Sequence, residues 1–217
     1  MADIEKLRQQ RKGMMFVMDA PSGTGKTTVL KSVLKDDPNL KFSVSATTRA
    51  PREGEKNGVD YYFISNEEYD KLKEENAFYE YVDSTYGPRY GTLKSEVDAS
   101  LQKGKDVVFD IDYVGLRQLK KNAGDKIVSV LLLPPSVKEV KERLINRGTD
   151  SIETIEKRMS VIDDKLSRYQ EFDYVLINDD LEKTISKVKT IIESERLKRI
   201  RYQGMADFVA DLTAEKD

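Results

Sequence analysis

Cysteine and histidine are both absent from the 217 residues of the sequence. The chain therefore has no disulfide, no thiolate metal site, no Cys or His nucleophile and no histidine general base. Any catalysis must depend on Lys, Arg, Asp or Glu side chains, on hydroxyl groups, or on a hard metal ion such as Mg²⁺.

Long apolar runs and an excess of one charge are also missing. The longest apolar run, IVSVLLLPP at 127–135, is too short to span a bilayer, and the charged N-terminal stretch MADIEKLRQQRKG has no signal-peptide core. With 37 basic and 39 acidic residues, the formal net charge of -2 does not indicate a nucleic-acid or membrane partner. We expect a cytoplasmic protein with neither partner.

What is present is an alternation of apolar segments with helical patterns. Buried strands are predicted at Met14–Asp19, Phe42–Ser45, Val107–Ile111, Ile127–Leu133 and Tyr174–Ile177. Helices are predicted at Lys26–Lys35, Leu93–Lys103, Val114–Asn122, Val137–Asn146 and Leu181–Leu197. Apolar strands separated by helices indicate a parallel sheet covered on both faces, which is an α/β fold.

Two segments interrupt this alternation. Residues 46–92 are rich in Tyr, Gly, Thr and Arg and predict short antiparallel strands joined by turns, in an inserted lobe. Residues 147–168 predict a charged helical stretch that Asp150 or Ser151 caps, with Glu153 in its first turn.

The C-terminal tail has a weak apolar pattern at roughly helical spacing, formed by Met205, Phe208, Val209 and Leu212. A helix that is packed on the surface or frayed is the ordinary interpretation of such a pattern. A dimer contact is the alternative, so both a monomer and a homodimer stay open.

The segment APSGTGKT, Ala20 to Thr27, follows the first predicted strand and precedes the first predicted helix. It matches the phosphate-binding template G-x-x-x-x-G-K-[ST], except that Ala20 replaces the first glycine. Gly23 and Gly25 allow backbone N–H groups to face a phosphate, and the helix N-terminus adds its positive dipole. We expect Lys26 to reach the β- and γ-phosphates of a nucleoside triphosphate and the Thr27 hydroxyl to ligate Mg²⁺. An ordinary glycine turn is the alternative.

Two aspartates, Asp110 and Asp112, end the apolar run VVFDID. Ligands of open α/β sheets gather at the carboxyl ends of the strands, and an acidic group at such an end holds Mg²⁺ through water in P-loop enzymes. Capping of the following helix is the alternative, and one of the two aspartates fits that role.

Two arginines, Arg49 and Arg52, flank Pro51 in the segment SATTRAPREGEKNGVDYYF, where Tyr61 follows a glycine-containing turn. A chain stiffened by proline can hold a planar guanidinium fork in place for a phosphate. Solvated surface charge is the alternative for such a pair.

One acidic residue, Glu80, lies in the alternating stretch AFYEYVD, where Phe78, Glu80 and Val82 would share one face of a strand. A carboxylate between apolar neighbours needs hydrogen-bond donors, because otherwise its ionisation becomes costly. Guanine offers two donors, N1–H and the N2 amine, at the spacing of the two carboxylate oxygens, and adenine lacks that pair. An exposed strand edge is the alternative.

Taken in order, seven segments resemble the guanylate kinase family of P-loop nucleoside monophosphate kinases. They are APSGTGKTT, SATTRAPREGEKNGVDYYF, FYEYVD, YGPRYGT, VVFDID, RGTDSIETIEKRM and VLINDD, over about residues 12–195. The resemblance implies a P-loop core with a parallel sheet flanked by helices, an inserted mixed α/β GMP-binding lobe and a helical lid. The implied boundaries are 1–45, 93–146 and 170–198 for the core, 46–92 for the lobe, 147–169 for the lid and 199–217 for the tail.

The resemblance also implies three groups of site residues. The ATP site would comprise the loop and two distant residues: Ala20, Pro21, Ser22, Gly23, Thr24, Gly25, Lys26, Thr27, Thr28, Arg143 and, at the adenine, Asn178. The GMP site would comprise Ser45, Glu80 and Thr92 at the base, Arg49, Arg52, Tyr61 and Tyr90 at the phosphate, and Asp110 and Asp112 nearby. The catalytic residues would be Lys26, Arg49, Arg147 and Arg158, and Mg²⁺ would bind Thr27 and, through water, Asp110.

Several features depart from the family pattern. Val114 stands where the family usually has a glutamine after DID, and valine cannot make the supporting hydrogen bond of that glutamine in the GMP site. The segment YGPRYGT differs from the usual G-N-x-Y-G-[TS], and the tail is longer than in a compact bacterial member. None of these departures removes a group that the chemistry needs.

The function implied is transfer of the γ-phosphoryl group of ATP to GMP, and to dGMP, in purine nucleotide metabolism. The acceptor is already an oxyanion, so no general base is required, which agrees with a chain that lacks histidine. Two alternatives are an interaction module that keeps the lobe without the chemistry, and a kinase for another nucleoside monophosphate. The glycine loop and its lysine disfavour the first, and Glu80 disfavours AMP as the acceptor.

Overall fold

The structure is a computed structural model that describes residues 4, 7, 11–84, 87–147 and 151–214, except for the side chain of Arg147. Its strands are β1 (Met15–Asp19), β2 (Leu40–Phe42), β3 (Ala46–Thr47), β4 (Tyr62–Phe63), β5 (Phe78–Val82), β6 (Tyr90–Leu93), β7 (Asp106–Phe109), β8 (Ile127–Leu133) and β9 (Tyr174–Ile177). Its α-helices are α1 (Lys26–Asp36), α2 (Asn66–Glu74), α3 (Lys94–Gln102), α4 (Tyr113–Ala123), α5 (Val137–Arg147), α6 (Ile152–Ser160), α7 (Ile162–Ser167), α8 (Leu181–Arg196) and α9 (Met205–Ala214).

A five-stranded sheet in the order β2-β7-β1-β8-β9 forms the centre of the fold, and all its pairings are parallel. Alternate residues of β1 enter two apolar clusters, Phe16 and Met18 on one face and Met15 and Val17 on the other. Burial on both faces explains why β1 reads as an unbroken apolar run. The predicted α/β class and parallel sheet are therefore confirmed.

A second sheet, in the order β4-β3-β6-β5, lies within residues 46–93. The predicted antiparallel pairing is observed between β6 and its neighbours β3 and β5, but β3 pairs with β4 in parallel. Helix α2 between β4 and β5 was not predicted from the residue pattern, although it agrees with the mixed α/β lobe that the family resemblance implies. The start of α2 has a clear sequence signal: Ser65 Oγ accepts the backbone N–H of Glu68 at 3.1 Å, as an N-cap does. Residues 85 and 86 of the predicted lobe lie outside the described residues.

The charged stretch after α5 forms the two short helices α6 and α7. Ser151 caps α6 by accepting the backbone N–H of Thr154 at 3.2 Å, whereas Asp150, the other predicted cap, lies outside the described residues. Ile155 and Ile162 pack with Val140 and Leu144 of α5 in a small apolar cluster. This cluster holds the two helices against α5.

The end of α8 is held to the core by charged side chains at the beginning of β7, and the start of the tail by a backbone hydrogen bond. The fully buried Asp106 accepts hydrogen bonds from Arg11 at 2.8 Å and from Arg196 at 2.7 Å, and the Lys12 N–H bonds the carbonyl of Arg201 at 2.7 Å. Helix α9 follows, and none of its residues is buried. The surface-helix interpretation agrees with this placement. Across the described ranges, no helix combines the length and apolar character that crossing a membrane requires.

Candidate functional site

The glycine loop joins β1 to α1 at the carboxyl edge of the central sheet. Gly25 precedes α1 with a φ of +100°, and a Cβ atom there would lie 2.7 Å from the Nδ2 atom of Asn178. Both the backbone conformation and the close approach require glycine. No side chain caps the first turn of α1, so the N–H groups of Lys26 and Thr27 stay available to an anion.

The departure at Ala20 has little structural consequence. Ala20 is 5% exposed, and Asn76 is the one non-glycine residue of the described chain that has a positive φ. The turn out of β1 therefore does not need the left-handed conformation that favours glycine at this position.

A cavity of about 660 Å³ opens in front of the loop. Four cationic residues line it together with the loop backbone: Lys26, Arg143, Arg158 and Lys165. The remaining lining residues are Ala20, Pro21, Ser22, Gly23, Gly25, Thr27, Thr28 and Leu144. The structure thus brings most of the predicted ATP-site residues around one space whose charge suits a polyphosphate.

Lys26 forms an ion pair with Asp110, which follows β7. The pair places the predicted phosphate-binding lysine beside the predicted metal-site carboxylate, and both groups are partly exposed. Asp112, by contrast, caps helix α4 by accepting the N–H groups of Val114 at 3.0 Å and Gly115 at 3.1 Å. Helix capping, the alternative for one of the two aspartates, is thus the observed role of Asp112, and its contact with GMP stays a prediction.

Lys165, which the sequence analysis missed, connects α7 to the strand before the loop. Its Nζ atom lies 2.9 Å from Oδ1 of Asp19, and the same oxygen accepts the Ala20 N–H at 2.7 Å. Asp19 is 2% exposed, and a carboxylate so deeply buried needs such partners. The available signal was an acidic residue at the end of an apolar strand, but it does not identify the partner.

Among the other residues predicted at the donor site, Asn178 and Arg143 differ in burial and in their partners. Asn178 is buried behind the loop and donates to the Thr24 carbonyl at 2.7 Å, so it supports the loop, and its contact with adenine stays a prediction. Arg143 pairs with Glu139 one turn earlier in α5. Arg158 lies in α6, and the side chain of Arg147 lies outside the described residues.

Glu80 in β5 is 6% exposed and accepts a 2.6 Å hydrogen bond from the Thr92 hydroxyl in β6. Burial raises the pKa of the Glu80 carboxyl, the Thr92 hydrogen bond partly offsets the rise, and the charge of Asp112 adds to it. Ser45, the third residue predicted at the base, precedes β3 and is half-buried. A buried carboxylate that bonds one hydroxyl has acceptor capacity left for further donors.

A register shift between Phe78 and Tyr81 interrupts the simple alternation predicted for β5. Such bulges re-aim side chains and are frequent beside functional sites. Two side-chain amides of α4 hold the bulged strand. The Gln118 amide donates to the Tyr81 carbonyl at 3.0 Å and accepts the Tyr81 N–H at 3.1 Å, and the Asn122 amide donates to the Tyr79 carbonyl at 2.7 Å. Neither amide was predicted from the sequence, although both hold the backbone on either side of Glu80.

The four residues predicted at an acceptor phosphate also lie together. The guanidinium carbon of Arg49 is 5.3 Å from the centroid of the Tyr61 ring, and the rings of Tyr61 and Tyr90 are 6.0 Å apart. Arg52 is exposed in the turn that follows Arg49. The hydroxyls and guanidinium groups in this region are donors of the kind that bind phosphate.

For a metal ion, the donor set fits Mg²⁺ bound together with a nucleotide. No group of three or more acidic side chains that could hold a metal ion occurs among the described residues. Mg²⁺ is commonly held by one or two carboxylates, water and substrate phosphates, so a full protein cage is not required. Thr27 in the first turn of α1 and Asp110 beside Lys26 are suitably placed protein groups.

Comparisons with known proteins agree on one family. The family model described as guanylate kinase matches residues 12–195. The guanylate kinase of Paramagnetospirillum magneticum is 46% identical over 202 residues, which cover 93% of this chain and 94% of that protein. The guanylate kinase of Sphingopyxis alaskensis is 44% identical over 208 residues, covering 96% and 94%.

A solved structure is similar as well. The crystal structure of the guanylate kinase from Anaplasma phagocytophilum has a TM-score of 0.69 and 29% sequence identity, covering 92% of this chain and 95% of that one. The central parallel sheet and its flanking helices are therefore shared with a known member of that family.

Proposed function

The chain belongs to the guanylate kinase family, and we propose which of its residues bind the two nucleotides and which take part in phosphoryl transfer. The enzyme transfers the γ-phosphoryl group of ATP to GMP, giving ADP and GDP.

The buried pair of Glu80 and Thr92 is the observation that best supports guanine recognition at this site. Both side chains are almost fully buried, and their 2.6 Å hydrogen bond uses one acceptor position of one Glu80 oxygen, so both oxygens can still accept from guanine. N1–H and the N2 amine of guanine supply two donors, which offset the cost of an ionised carboxylate in this pocket. Ser45 completes the base site in this proposal.

The donor site uses positive charge and does not need a proton acceptor. The loop N–H groups and Lys26 hold the β- and γ-phosphates, and Arg143, Arg147 and Arg158 neutralise charge that develops on the transferring group. An oxygen of the GMP phosphate attacks in line, and that oxygen carries no proton that a base must remove. Catalysis therefore comes from positioning and electrostatic stabilisation.

Thr27 and Asp110, the latter through water, would hold Mg²⁺ in this proposal. The ion supplies charge neutralisation on the phosphate oxygens when it is bound with ATP. Asp110 pairs with Lys26 in the structure. With ATP and Mg²⁺ bound, the metal would neutralise Asp110 and the phosphates would neutralise Lys26, so Lys26 could leave the pair and contact phosphate.

The acceptor phosphate is bound by Arg49, Arg52, Tyr61 and Tyr90. We include dGMP as a second acceptor, because the proposed base contacts do not involve the ribose 2′-hydroxyl. The three-part division into core, GMP-binding lobe and lid follows the predicted boundaries. We further place the enzyme in the cytoplasm, within purine nucleotide metabolism, as a monomer or homodimer.

Initial rates of ADP formation from ATP with GMP, dGMP, AMP and UMP test this proposal. GMP and dGMP should support turnover, and AMP and UMP should be poor acceptors. Faster turnover with AMP would contradict the role given to Glu80. Absence of ADP formation with every acceptor would favour an interaction module without catalysis.

A further inference from the structure

Glu55 closes the turn that carries Arg52. Its carboxylate oxygen Oε2 accepts the backbone N–H of Arg52 at 2.7 Å, and its own N–H donates to the Arg52 carbonyl at 3.1 Å. Gly54 inside this turn has a φ of +86°. The side chain of Glu55 is 19% exposed, so this acidic residue lies within the lobe surface and not on a solvated loop tip.

The same carboxylate also holds the end of the Arg49 side chain. The NH1 and NH2 groups of Arg49 bond Oε2 and Oε1 at 3.0 and 2.9 Å, and NH1 also bonds the Ala50 carbonyl at 2.8 Å. Three of the five guanidinium N–H bonds are thereby used. The Nε–H and the second NH2 hydrogen form a planar fork along the other edge of the guanidinium group, and Tyr90 is a further hydrogen-bond partner of Arg49.

The aromatic rings around Arg49 restrict the remaining freedom of this fork. The guanidinium carbon lies 5.3 Å from the ring centroid of Tyr61 and 5.8 Å from that of Phe63. The hydrogen bond with Glu55 raises the pKa of Arg49, and Tyr90 contributes to the rise. The hydrogen bonds with Arg49 and with the Arg52 backbone lower the pKa of Glu55, which therefore stays ionised at neutral pH.

We propose that Glu55 is a positioning residue for the acceptor phosphate: it fixes one edge of the Arg49 guanidinium and ties it to the Arg52 turn, so that the opposite edge, together with Tyr90, faces the phosphate of GMP. This inference rests on the proposed function, which assigns Arg49 and Arg52 to that phosphate. Glu55 touches neither substrate and acts through the two arginines.

The direction in which GMP affinity changes when the Glu55 carboxylate is removed distinguishes positioning of Arg49 from simple electrostatic repulsion. A carboxylate close to a phosphate dianion repels it, so removal of the charge alone would strengthen GMP binding. If Glu55 positions Arg49, removal of the carboxylate frees the guanidinium, and GMP binding weakens instead.

The test compares Glu55→Gln and Glu55→Asp with the wild type and with Glu53→Gln, a change at an exposed acidic residue two positions away. Glu55→Gln removes the negative charge from a side chain of the same size and shape, and Glu55→Asp keeps the charge on a side chain that is one methylene shorter. For each protein, steady-state kinetics give kcat and the KM for GMP, calorimetry gives the affinity for guanosine, and thermal unfolding checks the fold. Arg49→Gln is measured in parallel.

We expect both Glu55 variants to raise the KM for GMP about tenfold, the change that corresponds to one lost charge-assisted hydrogen bond. Guanosine has no phosphate, so its affinity should not change, and Glu53→Gln should match the wild type. An unchanged or lower KM in Glu55→Gln would overturn the inference, as would an equal loss of GMP and guanosine binding. If Arg49→Gln raises the KM and Glu55→Gln does not, this inference alone fails. If Arg49→Gln has no effect, the proposed phosphate site fails with it.

Discussion

Lys165 of helix α7 and Asp19 at the end of β1 form a hydrogen-bonded ion pair of 2.9 Å. The two residues are 146 positions apart in the chain, and the pair joins the helical segment after α5 to the strand that leads into the glycine loop. Asp19 is almost fully buried, and the side chain of Lys165 is 24% exposed. Helix α7 and the end of β1 are therefore linked through a charged contact.

Replacement of Lys165 should destabilise the protein. Lys165→Met removes the cation and leaves the Asp19 carboxylate with the Ala20 N–H, which should cost about 1–3 kcal/mol of unfolding free energy. Chemical denaturation measures the change, with Lys157→Met, at an exposed lysine of α6, as the control. In a double-mutant cycle, Asp19→Asn should remove most of the effect, and purely additive losses would show that the pair contributes nothing.

Replacement of Lys26 should act mainly on turnover. The contact of Lys26 with the donor phosphates strengthens as charge moves to the leaving oxygen, so Lys26→Ala should lower kcat by about 100-fold or more with a smaller effect on the KM for ATP. Steady-state kinetics with saturating GMP provide the measurement. Lys31→Ala, at an exposed position of the same helix, is the matched control. A kcat equal to that of the wild type would refute the assignment.

Replacement of Glu80 should mainly weaken the binding of the acceptor, GMP. Glu80→Gln sets an amide N–H against a guanine donor, so GMP use should weaken by about 1–3 kcal/mol, seen as a higher KM for GMP. The control is Glu74→Gln, which changes an exposed glutamate of α2 in the same lobe. If Glu80 had only a structural role, Glu80→Gln would reduce thermal stability and leave the KM for GMP unchanged, which would contradict the assignment.

The affinity for GMP should also depend on pH through Glu80. Burial raises the pKa of this carboxyl, and guanine needs the ionised form, so GMP binding should release protons and weaken as the pH falls through the raised pKa. In that same window the folded protein binds more protons than the unfolded chain, so this group lowers stability as the pH rises. Calorimetric titrations compare the wild type with Glu80→Gln, and the ratio of their Kd values cancels the ionisation of the GMP phosphate. A ratio that does not change with pH would contradict the expectation.

Local patterns were sufficient to predict the central sheet and the glycine loop. The predicted strands Ile127–Leu133 and Tyr174–Ile177 have the bounds of β8 and β9, because each is a short apolar run between polar segments. Phe42–Ser45 was placed too late, since β2 covers Leu40–Phe42 and the chain leaves the sheet after pairing with β7. Helix α2 was overlooked although Ser65 and Glu68 form a recognisable start.

The residues missed in the site share a different property. Glu55 has its partners Arg49 and Arg52 close by in the chain, but only their geometry in the structure reveals its role. Gln118, Asn122 and Lys165 act through partners that are distant in the chain, so local spacing does not reveal them. Gln118, for example, bonds a backbone 37 positions away. The residues predicted to contact a ligand belong to compact motifs. The side chains that hold those residues in place are recognised only from the contacts seen in the structure.

A crystal structure with GMP and a non-hydrolysable ATP analogue tests the central claim most directly. The account predicts that N1–H and the N2 amine of guanine lie within hydrogen-bond distance of the Glu80 carboxylate, with the triphosphate bound by the loop N–H groups of residues 23–27. Glu80 turned away from the base, or a glycine loop without phosphate oxygens, would contradict it.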